Sequence, residues 1–212
     1  MSNLMLPVSL GEAIDKLSIL QIKCEKITDS RKLAVEKEYN ALLSILKEFV
    51  DKYSELYESM MRTNRVIWDQ MDVLRDGDIS DAEYTKLCRE CIATNDVRFR
   101  IKNKINLISN SDLREQKSYK VTRFSVHIEV EGGDLLLFIE PIRRLSYIYD
   151  EIHIISSKDL SRIRDAFHYD NTIVLGGAEP PLTPASVEGG AIEPLVFYDT
   201  HDIYARLGLS II

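Results

Sequence analysis

Phe124-Ser125-Val126-His127-Ile128-Glu129-Val130 alternates apolar and polar residues with a period of two, the spacing of a half-buried strand. Nothing before it in the chain has that period. Upstream the apolar residues recur at three and four, the spacing of one helical face. Residues 1–120 carry 20 Lys+Arg against 20 Asp+Glu, whereas residues 121–212 carry 7 against 14, so the second part holds the whole net charge of −7. Seven of nine glycines and five of six prolines also follow residue 120. A helical domain over 1–120 and a small α/β domain over 121–212 are therefore expected, with the boundary near Lys117 to Thr122.

Downstream of the strand, Gly132-Gly133 makes a turn, Asp134 precedes the apolar run Leu135–Ile139, and Pro141 to Tyr149 has the pattern of a short amphipathic helix. Glu151–Ser156 reads as a second strand, Lys158 to His168 as a helix, and Thr172–Leu175 as a buried strand ended by Gly176-Gly177. Glu179–Pro194 is rich in Pro and Gly and reads as a loop before a last strand, Leu195–Tyr198. Alternation of strands and helices implies a small parallel, Rossmann-like sheet with right-handed crossovers.

Upstream, Ser9-Leu-Gly-Glu12 and Ser80-Asp-Ala-Glu83 have the form of capping boxes that open helices. The first helix has a face of Leu10, Ala13, Leu17, Leu20, Cys24 and Ile27. Arg31 to Arg75 contains no Gly or Pro, and Leu42, Leu46, Phe49, Tyr53, Leu56, Met60, Ile67, Met71 and Leu74 continue the spacing. A single helix there would be about 67 Å long; it must pack along much of that length or break. With the helix from Ser80 to about Ser109, three main helices are expected in a long antiparallel, coiled-coil-like bundle that forms a homo-oligomer, with a dimer expected.

The acidic balance argues against a nucleic-acid backbone binder, and no apolar run reaches bilayer length. Three cysteines exclude a disulfide scaffold and fit a reducing, cytoplasmic setting. Cys88-x-x-Cys91 lies inside a helix with no second ligand pair, so core packing outweighs a redox or zinc reading; no metal or cofactor is expected. In the third helix Asn95, Arg98 and Lys102 occupy apolar phase, matched by Thr63-Asn64 in the long helix. A buried polar layer that fixes register outweighs the alternative, a cleft in which Arg98 and Lys102 bind an anion. In the first reading Arg98 is mostly buried with a carboxylate or amide partner, such as Asp69 or Asn64.

Pro7-Val-Ser-Leu-Gly-Glu12-x-x-Asp15-Lys16-Leu-x-Ile-Leu, Trp68-Asp-x-x-Asp72-x-x-Arg75, Asn95-Asp96-x-Arg98-x-x-x-Lys102-x-x-Ile-Asn106 and Glu115-x-Lys117-Ser118-Tyr119 together resemble a bacterial and viral domain family without a characterised activity, over roughly residues 5–120. Met71 stands where that family usually has Glu. Gly133-Asp134-Leu-Leu-Leu-Phe-Ile-Glu140-Pro-Ile-Arg143-Arg-Leu145 followed by Glu151-Ile-His-Ile-Ile-Ser156 resembles the opening strand–helix–strand of lipopolysaccharide heptosyltransferases. That resemblance implies a glycan-related function with a nucleotide-sugar or glycan ligand. Asp134 would be the base on an acceptor hydroxyl, and Gly132-Gly133 would let backbone amides approach the ligand. Gly176 and Gly177, ending another strand, would lie near the same sheet edge. Residue chemistry alone leaves a second meaning open, in which Asp134 only caps the following helix. The alternative class is a non-catalytic assembly module dimerising through its helices.

Overall fold

In a computed structural model the chain divides into two compact units, Met1–Lys117 and Ser118–Ile212. The structure describes residues 6–118, 122–128, 136–147, 149–167, 173–176 and 195–197.

The first unit holds four helices: α1 (Leu10–Lys26), α2 (Lys32–Lys52), α3 (Ser54–Asp76) and α4 (Asp81–Ile108). Four helices stand where three were expected, because the 31–75 stretch breaks into two at Tyr53 (φ −123°, ψ 48°). Tyr53 donates its N–H to Phe49 O at the end of α2, and its own carbonyl accepts from Leu56 and Tyr57 at the start of α3. Its ring packs on Phe49, with centroids 4.8 Å apart. One apolar stripe 45 residues long cannot stay in contact with a first helix of 17 residues; after the break, α2 and α3 both pack against α1, and α3 packs against α4. The core here comprises Ile14, Leu17, Leu20 and Ile22 of α1, Leu46 of α2, Leu56, Met60 and Met61 of α3, and Phe99, Ile101 and Ile105 of α4.

The capping signals have different outcomes. Ser80 forms a complete box with Glu83, donor and acceptor on both sides. Ser9 accepts from the Glu12 N–H at 3.2 Å, but the Glu12 carboxylate turns away to Lys102, so only half of that box forms. Gly77, at φ 72°, ends α3 in the left-handed region that glycine adopts without steric cost.

The second unit contains β1 (Arg123–Ile128), α5 (Ile139–Leu145), β2 (Glu151–Ile155), α6 (Ser161–Ala166), β3 (Ile173–Gly176) and β4 (Leu195–Phe197). The strands form a parallel sheet in the order β3-β2-β1-β4, with Phe124 opposite Ile152 and Ile154 opposite Leu175. Because side chains alternate along a strand, Phe124, Val126, Ile128, Ile152 and Ile154 share one face. They form a single cluster with Phe138, Ile142 and Leu145 around α5, and with Leu160, Ile163 and Phe167 around α6. Both short helices are thus fixed by burial. The amino-terminal edge is pinned by Asp150, whose carboxylate accepts from the Thr122 N–H and hydroxyl at 2.8 Å each.

Candidate functional site

Among the described residues two places are set by polar groups, one in each unit. In the helical unit, α1 carries a second buried stripe at helical spacing: Gly11, Ile14 and Asp15, Ser18, Ile22. Gly11 lets α1 lie directly on α4: a Cβ at that position would stand 2.5 Å from the Lys102 carbonyl oxygen and 2.9 Å from Asn106 Oδ1. Asn106 uses the closeness, accepting the Gly11 N–H at 2.7 Å and so satisfying a first-turn amide that no residue of α1 can reach.

One turn further, the buried Asp15 accepts from Asn64 Nδ2 of α3 at 2.8 Å, and the same amide donates to Ser18 Oγ at 2.7 Å. Burial pushes the Asp15 carboxyl above the usual range, against the Asn64 hydrogen bond and the nearby charges of Arg98 and Lys102. Lys102, nine-tenths buried, places Nζ 2.7 Å from Glu12 Oε1 and 2.5 Å from Glu115 Oε2. Burial opposes its charge, but Glu115 and Glu12 outweigh that and raise its pKa. Glu115 follows α4 in a segment that folds back, and Lys117 from the same segment lies over the Phe99 ring, 5.1 Å from its centroid.

Of the residues singled out here from sequence, Lys102 is enclosed by two carboxylates, and Arg98 is half-buried with a 2.6 Å bond to Asn95 Oδ1 on its own helix. The expected partners of Arg98 are engaged elsewhere: Asn64 with Asp15 and Ser18, and Asp69 with Lys26 at 3.0 Å. Asp15, Ser18, Glu12 and Glu115 were not legible as members of this layer, since none breaks an apolar pattern in the sequence. Cys91 Sγ lies 3.9 Å from Met71 Sδ of α3, and both cysteines of the pair are half-buried.

In the α/β unit the informative place is the carboxyl edge of the sheet. After β1 the chain goes to α5 and β2 on one side, whereas β4 pairs on the other side of β1. β1 therefore has a parallel neighbour on each side, β2 and β4. Gly176 is the last residue of β3, opposite Ile155 at the end of β2. Ser156 follows β2 and is buried, its Oγ accepting the Lys158 N–H at 2.9 Å to shape the connection to α6. Gly132, Gly133, Asp134 and Gly177 lie outside the described residues, as do the side chains of β4.

Among the described residues no group of three His, Cys, Asp or Glu side chains could hold a metal ion, and no helix is long and apolar enough to cross a membrane. Comparison with protein-family models, with curated proteins and with solved structures finds no match.

Proposed function

We propose that this is a glycan-related, glycosyltransferase-like protein that takes a nucleotide-sugar or glycan at the carboxyl edge of its parallel sheet. One observation carries the reading: the parallel order β3-β2-β1-β4, which is the order around the switch point of a Rossmann-like half. Gly132-Gly133-Asp134 follow β1 in the chain, Gly176 ends β3, and Gly177 is next in the chain. Their positions in the chain, just after strands whose carboxyl ends face one edge, support a ligand reading, because parallel sheets take ligands at that edge. On this reading the glycines allow backbone amides to approach the ligand, and Asp134 removes the proton from an acceptor hydroxyl. The polar layer of the helical unit serves as internal structure, because its buried groups are turned toward one another.

A thermal-shift screen of nucleotides and nucleotide-sugars tests this, since a ligand that binds only the folded state raises Tm. Asp134→Asn then separates the roles of Asp134. Asn caps a helix nearly as well as Asp, so Tm is retained while turnover with a screened transferase substrate falls about 10²–10⁴-fold. Unchanged turnover removes Asp134 from the chemistry.

The exposed apolar side chains Leu33 (75%) and Ile45 (78%) on α2 and Ile92 (65%) on α4 favour a second reading, self-association through the helices. A monomer mass independent of concentration in analytical ultracentrifugation contradicts it.

A further inference from the structure

We infer that Cys88, Cys91 and Met71 form a three-sulfur site for a soft monovalent ion, Cu(I) in the first instance. The site lies in the α3–α4 hairpin of the helical unit, outside the polar layer around Asp15 and Lys102. Cys91 Sγ of α4 and Met71 Sδ of α3 are 3.9 Å apart. Three sulfurs arranged at 120° around one ion, with metal–sulfur bonds of about 2.3 Å, stand about 4.0 Å from each other. The two helices thus already hold one pair of donors at the spacing a trigonal site needs.

Cys88 precedes Cys91 by three residues in α4, so the two side chains are neighbours on one helical surface. Both thiols are free and only half-buried, which leaves an ion a route to them. The donor set decides the metal. Two thiolates and a thioether match the softness of Cu(I), and the thioether excludes the usual structural zinc set of Cys and His. Among the described residues no His, Asp or Glu joins the two cysteines in a group of three that could hold a harder ion. Binding displaces the two thiol protons, and the ion joins the sulfurs with no change in oxidation state.

The test uses the full chain in a Cys24→Ser background, so that the pair supplies the only thiols. Cu(I), held by a chromophoric chelator under anaerobic conditions, is titrated with protein. One equivalent is expected to transfer, with X-ray absorption reporting three sulfur neighbours. Cys88→Ser and Cys91→Ser should each abolish transfer, and Met71→Leu, which keeps the side-chain volume, should weaken it about tenfold or more. Circular dichroism melts confirm that each variant is folded; should one fail to fold, the coordination number measured on the parent chain decides alone. No transfer to the parent chain overturns the site. Unaltered affinity in Met71→Leu, or two sulfur neighbours instead of three, also overturns it.

Discussion

Asn64 commits both amide hydrogens inside the helical unit, to Asp15 and to Ser18. Asn64→Ala leaves a buried carboxylate without its closest donor, and should cost about 1–3 kcal/mol in chemical denaturation; a change below about 0.5 kcal/mol would mean that the layer contributes little to stability. Asp15 has a linked pH signature. Its carboxyl pKa is raised on folding, chiefly by burial, so between the unfolded value and the raised folded value the native state binds more proton. Stability from this group therefore falls as pH rises through that window, and Asp15→Asn should remove that fall from the denaturation profile measured from pH 3.5 upward. Arg98 and Lys102 were visible in the sequence because charged residues in apolar phase stand out. The α1 side of the layer was not, since Gly11, Asp15 and Ser18 form a stripe by position alone, with no apolar side chain at the contact with Asn64 and Asn106.

At the level of elements, the approach of α1 to α4 depends on a missing Cβ. Alanine favours a helix over glycine by about 1 kcal/mol, yet Gly11→Ala puts a methyl group against a backbone carbonyl that cannot rotate away. The clash should win, giving a net loss of about 1–3 kcal/mol in the same denaturation assay; a more stable variant would show that the two helices separate easily. The segment after α4 depends on Lys102 instead. Lys102→Met removes the cation shared by Glu12 and Glu115, so tryptic cleavage after Arg114 and Lys117 should accelerate severalfold relative to the parent, and an unchanged digestion rate would show that Lys117 on Phe99 suffices. The Ser80 box was legible because both of its partners are local. The Ser9 box was half legible because Glu12 finds a partner 90 residues away. The break at Tyr53 had no Gly or Pro to announce it; only the short length of α1 demands it.

For the whole molecule, the change of period at residue 124 marks the passage from helices to a parallel sheet, and the strand positions followed from alternation and from apolar runs. Sheet order did not, because pairing of β1 with β4 joins residues about 70 apart with no local signal. That order carries the central claim, a ligand site at the carboxyl ends of the strands. Titration of the isotopically labelled chain with nucleotide-sugars, followed by backbone amide NMR, tests it directly. Shifts should gather at the carboxyl ends, at Ile128, Ile155, Gly176 and Phe197, while Arg123 and Glu151 at the opposite edge and Asn64 in the helical unit stay in place. Shifts centred on Arg123 and Glu151, or on the helical unit, or none with any nucleotide-sugar at millimolar concentration, would contradict it.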